Sequence, residues 1–335
     1  MLFTLNFYNT LVLRSTSILT KNSIIIYHKA YHWNADLTEN TKNYYKNNVY
    51  KRSPKQQKVD FDYLYGLSVV LPALEQKRRK FHRLFVQEGF LFPNELNIPI
   101  IKTTKNELNK LLKDNRPHQG IILKASKLEP IKIACLGKQQ SDKITHVRYQ
   151  VIKPSNSPIT LDIPTNGTRP FWLALDQVVD PQNLGAIIRS AYFFGVNGLV
   201  MCSKNSAPLS AVTAKASSGA LEIMNVYDVD NLSNFLNCSS QNDWIIYGAV
   251  SSFESKNNSN KSSISINELN DPLSKNPVIL VIGNEGTGLR MNILNTCHHQ
   301  LYISSPNTNK SEYVDSLNVN AATAVLLQGF LGDKS

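Results

Sequence analysis

Apolar and polar stretches alternate in a regular order over the C-terminal half of the chain. Continuous apolar runs such as Val278–Ile282 are typical of strands in a parallel sheet covered on both faces. Between these runs, apolar residues recur at the three- and four-residue spacing of helices. The pattern predicts strands at 171–175, 198–202, 223–228, 244–249, 278–282 and 300–303. It predicts helices at 183–195, 208–217, 230–237, 288–295 and 318–330, and thus an α/β fold with a mostly parallel sheet flanked by helices.

A second, smaller α/β pattern occupies the region before this sheet. Tyr65-Gly66 precedes an apolar stretch that predicts a helix, and we expect this helix to continue through the basic run Lys77–Lys80. His118-Gln119-Gly120 then leads into another apolar run. A polar, proline-broken stretch separates the two patterns and indicates a linker. The predicted organisation is a small α/β domain at 61–135, a linker at 136–168 and a larger domain at 169–335.

The positive charge of the chain is concentrated in its first 150 residues. The net charge is +11, and residues 1–150 carry 25 bases and 11 acids, whereas residues 151–335 carry 11 bases and 14 acids. A basic segment ahead of a mildly acidic domain is typical of a protein that holds a polyanion with the first and acts on it with the second. A solvated lysine-rich surface is the alternative that composition leaves open.

The first 35 residues contain Arg14, Lys21 and Lys29 but no acidic residue, and they are rich in Ser, Thr and Asn. This composition predicts a mitochondrial transit peptide, and residues 36–60 read as a disordered basic linker. A disordered Asn/Lys-rich tail is the alternative. No apolar run reaches the roughly 18 residues of a membrane-spanning helix, so we expect no membrane partner. The predicted transit peptide is the reason to expect the protein in the mitochondrial matrix.

The cysteines do not indicate a metal site. Four of them, Cys135, Cys202, Cys238 and Cys297, are far apart, and no Cys-x-x-Cys pair occurs. The spacing therefore predicts neither a zinc site nor a disulfide framework, and free thiols suit a reducing compartment. His298 and His299 are adjacent, so their side chains point in different directions and cannot easily share one metal ion. We therefore expect no bound metal.

Three polar clusters stand at the ends of predicted strands or at the starts of predicted helices: Asp180–Arg189, Gly283–Gly288 and Ser316–Ala322. The glycine-rich cluster lies where α/β proteins bind ligands. Its spacing is not that of a dinucleotide fingerprint, and Leu289-Arg290 stands where a P-loop needs Lys-Ser/Thr. A nucleotide-dependent dehydrogenase or NTPase is therefore disfavoured. One site built from all three clusters explains polar residues for which core packing has no use.

Each cluster also has a purely structural interpretation. Asn183 and Ser316 are residue types that cap helix N-termini. Arg189 lies inside a predicted helix among apolar neighbours, where it needs an anionic partner, and an ion pair with Asp176 or Asp180 would provide one. Capping alone explains Asn318 less readily, because it falls within the first turn of its helix.

Taken together, the three clusters resemble the motifs of the SpoU family of RNA ribose 2′-O-methyltransferases. The motifs are matched in order at Leu175–Gly195, Val281–Leu289 and Ser316–Ala322, with Ser218-Gly219-Ala220 between them. Two positions depart from the usual pattern: Ser304 follows Ile303 where Pro is common, and Asn320 stands where a small residue is more usual.

The N-terminal module resembles the substrate-binding domain often fused to such enzymes. Tyr65-Gly66, the basic run at 77–83 and His118-Gln119-Gly120 carry this likeness. The resemblance implies a trefoil-knotted α/β fold, S-adenosylmethionine as methyl donor, and a homodimer with the active site near the subunit interface. With the presequence, it implies methylation of a guanosine ribose in mitochondrial large-subunit ribosomal RNA. A catalytically silent RNA-binding ribosome-assembly factor on the same fold is the alternative.

The resemblance also assigns roles to residues. Arg189 is the central catalytic candidate, and because the pKa of arginine exceeds about 12, we expect it to position and stabilise charge and not to act as a base. The other catalytic candidates are Asn183, Glu285, Ser316 and Asn318. The cofactor-binding candidates are Ile282, Gly283, Ile303, Leu317 and Asn318. The RNA-binding candidates are Arg78, Arg79, Lys80, Arg83, His118 and Gln119.

Overall fold

The structure is a computed structural model. It describes residues 61–90, 97–112, 116–139, 146–153, 155, 158–164, 169–251, 263–307 and 316–332. The predicted transit peptide at 1–35 and the predicted linker at 36–60 lie outside these residues. Every helix within them is too short or too polar to span a lipid bilayer.

Fifteen strands are present among the described residues. They are β1 (Phe61–Tyr65), β2 (Phe81–Gln87), β3 (Ile100–Thr103), β4 (Ile121–Ser126), β5 (Ile131–Lys132), β6 (Cys135–Gln139), β7 (His146–Ile152), β8 (Pro158–Pro164), β9 (Phe171–Leu175), β10 (Gly198–Met201), β11 (Val226–Asp228), β12 (Ile245–Ala249), β13 (Ser263–Ser265), β14 (Val278–Ile282) and β15 (His299–Tyr302). The α-helices are α1 (Leu67–Gln76), α2 (Lys105–Leu111), α3 (Pro181–Phe193), α4 (Ala211–Ala216), α5 (Ala220–Ile223), α6 (Leu232–Ser240), α7 (Met291–Leu294) and α8 (Val319–Leu331).

A parallel sheet of eight strands forms the larger part of the fold. Its order is β13-β15-β12-β14-β9-β10-β11-β5, and every neighbouring pair is parallel. The central strands are buried on both faces, since Phe171, Leu173 and Leu175 belong to one hydrophobic cluster and Trp172 and Ala174 to another. The predicted α/β class with a mostly parallel sheet is confirmed, and the knot stays a prediction.

The predicted strands and helices of this sheet agree with the structure to within a few residues. β9 and β14 have the predicted bounds, and α3 begins two residues before its predicted start. One difference is at β11, where the predicted strand at 223–228 begins only at Val226 because Ala220–Ile223 forms the short helix α5.

The smaller module is a four-stranded sheet in the order β1-β4-β2-β3, and α1 contacts both β1 and β4. The predicted continuation of α1 through Lys77–Lys80 is wrong. The helix ends at Gln76, and Lys77 adopts the left-handed conformation (φ 52°) that terminates helices. Residues 78–80 therefore leave the helix before β2 begins.

The stretch predicted as a linker contains regular structure. β6, β7 and β8 form a three-stranded antiparallel sheet, which replaces the expected irregular connection at 136–168. β6 also packs against α6, and Leu136 and Val151 are buried in one of the two large hydrophobic clusters. Pairing between β-strands supplies the order that the polar composition of this stretch did not indicate.

Two of the four cysteines depart from the prediction of free thiols. Cys135 on β6 and Cys238 on α6 are joined by a disulfide, with their Cα atoms 5.7 Å apart. They are separated by 103 residues, so no local spacing could have indicated the pair. Cys202 and Cys297 are buried thiols outside this disulfide.

Candidate active site at the ends of the central strands

The glycine-rich loop after β14 is tied to the start of α3 by Glu285. The carboxylate of Glu285 accepts hydrogen bonds from the backbone N–H of Asp180 at 3.0 Å and of Val179 at 3.3 Å. It also accepts from the side-chain amide of Asn183 at 3.3 Å. Asp180 is the N-cap of α3, and Pro181 occupies its first turn. The first two polar clusters therefore meet at a helix N-terminus, where a carboxylate is electrostatically favoured.

The third cluster joins the same network through Asn318. The amide of Asn318 donates to the side-chain oxygen of Asn183 at 3.1 Å, and its own oxygen accepts from the backbone N–H of Asn320 at 2.9 Å. Asn318 is thus the N-cap of α8, a role the sequence assigned to Ser316. One amide therefore caps a helix and contacts Asn183 at the same time, while Ser316 is exposed two residues earlier.

Asn320, at which the sequence departs from the family pattern, joins α8 to α3. Its side-chain oxygen accepts a hydrogen bond from the hydroxyl of Ser190 at 3.1 Å. Ser190 directly follows Arg189, so this bond holds the α8 start beside the turn of α3 that carries Arg189. A polar residue in place of a small one therefore has a structural role here.

Arg189 is exposed, and no described residue forms an ion pair or hydrogen bond with it. The expected ion pair with Asp176 or Asp180 is absent from the described structure. Asp176 is buried and pairs with Arg290 instead, with a distance of 2.6 Å between Nη2 of Arg290 and Oδ1 of Asp176. The side-chain carboxylate of Asp180 accepts a hydrogen bond from the backbone N–H of Gln182. The guanidinium of Arg189 is therefore available to an external anion.

The carboxylate of Glu285 is held in its ionised form. Partial burial acts to raise its pKa, but hydrogen bonds from its own backbone, from Asp180, from Val179 and from Asn183 outweigh this effect. The pKa of Glu285 consequently lies below its usual value. A carboxylate of low pKa with several donors around it is a weak base and is suited to holding the loop in place.

The glycine-rich loop is shaped by Gly283 and Asn284. A Cβ added at Gly283 would collide with the backbone of Gly288 and Leu289, so only glycine fits at this position. Asn284 accepts from the backbone N–H groups of Gly286 and Thr287, and its amide donates to the carbonyl of Gln177 at 2.8 Å. Asn284 thus organises the loop from within and joins it to the end of β9.

A cavity of about 530 Å³ opens beside this loop, a size typical of small-molecule sites. Of the predicted cofactor residues, Ile282, Gly283, Ile303 and Leu317 line it, and Asn318 does not. Glu285 and Ser316 are also among the lining residues, whereas Asn183 and Arg189 are not. Of the predicted catalytic residues, Glu285 and Ser316 therefore lie at the cavity, Asn183 and Asn318 at helix starts, and Arg189 further along α3.

Sequence reasoning missed part of the cavity wall. Residues 249–251, which comprise the last residue of β12 and the two after it, and residues 304–307, which follow β15, line the cavity. Both segments lie at the ends of parallel strands, at the same edge as the glycine-rich loop after β14. Their position after predicted strands was the available signal, but their side chains carry no chemistry that marks them.

The RNA-binding candidates Arg78 and Arg79 have structural roles. Both Nε and Nη2 of Arg79 donate to the carboxylate of Glu222, at 2.8 and 2.7 Å, and Nη1 donates to Asp62 at 2.9 Å. Its side chain has no exposed surface. Nη1 of Arg78 donates to the carbonyls of Leu221, Glu222 and Met224. Both arginines fasten the small module to α5, and Arg79 has no exposed surface to offer to RNA, whereas Arg78 is half-buried and its contact with RNA stays a prediction.

His118 is likewise a structural residue. It is buried, its Nδ1 accepts from the backbone N–H of Gly120 at 3.0 Å, and its Nε2 lies 3.0 Å from the side-chain oxygen of Asn109. Burial, with a smaller contribution from Lys105, lowers the pKa of His118, which favours its neutral form. His118 therefore shapes its loop and is not available to RNA.

The other RNA-binding candidates are accessible. Lys80 and Arg83 are exposed at the start of β2, and Gln119 is exposed at a positive φ of 52°. The side-chain oxygen of Gln119 accepts from the backbone N–H of Leu67 at 3.1 Å, next to Gly66. Two cations and one amide of the six candidates thus face solvent on the small module.

Two family matches cover most of the described chain. Residues 170–328 match the SpoU rRNA Methylase family, and residues 63–131 match the family described as RNA 2′-O ribose methyltransferase substrate binding. The first match contains the eight-stranded sheet from β9 onward, and the second contains the four-stranded sheet.

Solved structures share the fold at low sequence identity. An AdoMet-bound rRNA methyltransferase from Sinorhizobium meliloti aligns with a TM-score of 0.57 and 17% identity over 81% of this chain and 86% of that chain. The SpoU methyltransferase AviRb from Streptomyces viridochromogenes in complex with AdoMet aligns with a TM-score of 0.56 and 15% identity over 81% and 89%. These similarities support the same arrangement of strands and helices.

Curated relatives are more similar in sequence. The protein named rRNA methyltransferase 1, mitochondrial, from Schizosaccharomyces pombe is 34% identical over 81% of this chain and 89% of its own length. The proteins of that name from Saccharomyces cerevisiae and Homo sapiens are 33% and 30% identical over 81% of this chain and 70% and 72% of their own lengths. Identity of this extent, together with the family match over residues 170–328, shows that the chain belongs to the SpoU rRNA methylase family.

Proposed function

We propose that this chain transfers a methyl group from S-adenosylmethionine to a ribose 2′-hydroxyl of mitochondrial ribosomal RNA. The observation that carries this proposal is the network in which Glu285, Asn183 and Asn318, from three distant segments, join beside a cavity at the strand ends. The curated relatives named mitochondrial rRNA methyltransferase 1 support both the reaction class and the compartment.

The cavity fits S-adenosylmethionine in size and chemistry. Its wall combines apolar side chains suited to a flat base, such as Ile303 and Leu317, with backbone groups at Gly283 and with the polar residues at 304–307. A side chain at position 283 would collide with the backbone of Gly288 and Leu289 and so distort this wall. We infer that Ile282, Gly283, Ile303 and Leu317 contact the cofactor. When bound, the cofactor supplies an electrophilic methyl group.

The residues of the chain have the task of holding a weak nucleophile in line and stabilising charge, because a ribose hydroxyl is protonated at neutral pH. Arg189 is exposed and without a carboxylate partner in the described structure, so it binds a phosphate or the hydroxyl oxygen of the RNA. Glu285 fixes Asn183 and the start of α3, and Asn318 fixes Asn183 from the other side. Ser316 orients the nucleotide at the cavity mouth.

The domains divide this work. We propose that 61–135 holds RNA, that 136–168 joins it to the catalytic domain, and that 169–335 performs the transfer. Lys80, Arg83 and Gln119 are the accessible RNA contacts on the first domain. Large-subunit ribosomal RNA and guanosine are the proposed substrate and nucleotide, following the family resemblance, and residues 1–35 direct import into the matrix.

A labelled-donor assay tests the function. The purified protein is incubated with labelled S-adenosylmethionine and mitochondrial ribosomal RNA, and the methylated riboses are mapped. We expect one methylated guanosine ribose in the large-subunit RNA. Arg189→Ala should lower turnover by at least about a hundredfold, because the charge at the reacting centre is lost, while the exposed side chain leaves the fold intact.

Arg83→Ala is the matched comparison, since it removes an exposed arginine of the small module. It should raise KM for RNA and leave kcat close to that of the wild type. Substantial turnover by Arg189→Ala would remove that residue from the mechanism. A wild-type protein that binds ribosomal RNA and transfers no methyl group would instead be a silent assembly factor.

We further propose that the chain works as a homodimer whose subunits meet on α3 and α8. Arg189 is the one charged residue among the sequences of these two helices. Large apolar side chains are exposed around it: Val179, Tyr192, Phe193, Leu317 and Val325. An apolar face of this kind, next to the site, is typical of a self-association surface, and a second copy would shield Arg189 and the cavity mouth from water.

A further inference from the structure

A second cationic site lies where the two modules meet. We call this place the seam, formed by Tyr65-Gly66, by residues 116–119 and by α4. α4 contacts β1 across it. The seam is held firmly, because Arg79 of the small module forms its buried ion pair with Glu222 of α5, and a Cβ at Gly219 would collide with the carbonyl oxygen of Ser68. Side chains of the small module and of the catalytic domain that face the seam therefore stay at a fixed distance from each other.

Lys215 of α4 reaches across the seam into the small module. Its Nζ lies 5.6 Å from the ring centroid of Tyr65, and it would lie 2.5 Å from a Cβ placed on Gly66. Arg116 approaches the same ring, with its guanidinium carbon 5.9 Å from the centroid. Two cations from different parts of the chain thus share one aromatic ring, and Gly66 provides the room for Lys215.

No carboxylate balances Lys215 in the part of the chain that the structure describes. Two acidic side chains near the contact between the modules, Asp62 and Glu222, are both paired with Arg79. Burial lowers the pKa of Lys215, which is the effect expected for a partly buried ammonium group without a counter-charge. A bound anion would supply the counter-charge that Lys215 lacks among the described residues.

The seam is also coupled to the catalytic helix. α4 packs against α3 at Gly185, where an added Cβ would lie 2.5 Å from the Cβ of Ala216. Lys215 is the neighbour of Ala216, and Arg189 follows Gly185 by one turn of α3. A ligand held at Lys215 is therefore held at a constant position relative to the proposed reacting centre.

We propose that Lys215 and Arg116 bind one backbone phosphate of the RNA substrate at the seam, between the small module and the catalytic domain. The exposed amide of Gln119, beside Gly66, completes the rim of this site. This inference rests on the proposed function, since it takes RNA as the substrate. Lys215 acts as a positioning residue: it sets where the strand crosses from one module to the other, and it does not contact the reacting atoms.

Lys215→Met tests the site, because Met keeps most of the aliphatic stem and removes the charge. RNA binding is measured over a series of salt concentrations. We expect affinity at physiological salt to fall about tenfold, and the slope of log affinity against log salt to shrink by about one phosphate contact. Lys215→Arg should restore both values. S-adenosylmethionine binding and kcat at saturating RNA should stay at wild-type values.

Lys204→Met is the matched control, since Lys204 is an exposed lysine of the catalytic domain that lies 3.6 Å from Asp230. It should leave RNA affinity and salt dependence unchanged. A Lys215→Met protein with wild-type affinity and slope overturns the seam site while the methylation assay still stands. A wild-type protein that neither binds nor methylates ribosomal RNA overturns the proposed function itself.

A measurement on the wild-type protein covers the case in which Lys215→Met does not fold. Lysines are acetylated with an amine-reactive reagent, with and without RNA, and mapped by mass spectrometry. RNA should protect Lys215 and leave Lys204 reactive. Equal modification of Lys215 in both conditions overturns the proposal.

Discussion

At the scale of single residues, the site depends on amides and a carboxylate that have structural and functional roles together. Asn318 caps α8 and also contacts Asn183, while Glu285 holds Asn183 and the two backbone N–H groups before α3. This explains why capping alone did not account for these side chains in the sequence. One geometry of Asn318 is compatible with both its capping role and the role in the site that we propose for it.

The lowered pKa of Glu285 predicts a pH dependence of stability. Because the folded state favours its ionised form, Glu285 stabilises the protein above the usual carboxyl pKa, and this contribution is lost as the pH falls through its lowered folded pKa. From about pH 5 downward, the free energy of unfolding should therefore fall more steeply in the wild type than in Glu285→Gln. Urea unfolding at a series of pH values measures this difference.

Glu75→Gln serves as the control for that series, since Glu75 is an exposed carboxylate on α1 that accepts no hydrogen bond from the described residues. Its pH profile should follow the wild type. Parallel wild-type and Glu285→Gln profiles would show that the hydrogen bonds seen around Glu285 do not favour its ionised form.

At the scale of elements, the cavity is produced by loops at one edge of the parallel sheet. β12, β14 and β15 are neighbours, and the segments that follow them line the cavity together. The glycine-rich loop after β14 turns back sharply, with a pair of backbone hydrogen bonds between Asn284 and Gly288 at 3.0 and 3.1 Å. Gly283 lies at the start of this turn, and its Cα is so close to the backbone of Gly288 that a side chain would not fit there.

Gly283→Ala should therefore distort the turn. We expect it to lower the free energy of unfolding by about 1–3 kcal/mol, as overpacking does, and to abolish binding of S-adenosylmethionine. Gly286→Ala adds the same methyl group where the nearest atom, Oδ1 of Asn284, is 3.7 Å away. Its effect on stability should stay within about 0.5 kcal/mol. Thermal unfolding and calorimetry measure both variants, and equal losses would contradict the close approach at Gly283.

At the scale of the whole molecule, one face of the catalytic domain lacks the polar surface expected of a monomer. Phe193 is 80% exposed, and Tyr192 and Val179 are close to half exposed on the same helix or just before it. Arg189 lies among them. A cation surrounded by exposed apolar groups fits a site that is completed by a second copy of the chain.

Phe193→Glu should then convert a dimer into monomers, because a charge would be buried at the interface without a partner. Sedimentation velocity measures the state of association, and methyl transfer should fall with it. Leu71→Glu is the control, since Leu71 is an exposed apolar residue on α1 of the small module. A Phe193→Glu protein that remains dimeric would place the interface elsewhere, and a monomeric wild type would remove it.

The order of strands and helices in the large domain could be read from the sequence, because it depends on the periodicity of neighbouring residues. The three polar clusters were recognisable for the same reason: each is local, and each follows a strand or opens a helix. The β6-β7-β8 sheet was missed because its stability comes from pairing between strands, which polar composition does not reveal.

Only the tertiary structure decided which charged side chains are paired within the protein and which are exposed to external ligands. Arg79 and Arg189 look alike in the sequence, yet Arg79 is buried against Glu222, 143 residues away, and Arg189 is exposed without a partner in the described structure. The bond between Asn183 and Asn318 spans 135 residues. A residue's pairing and burial depend on contacts between distant segments, and no local pattern encodes which segments will meet. The sequence therefore determined the elements and the candidate chemistry, and folding decided which of those side chains could perform it.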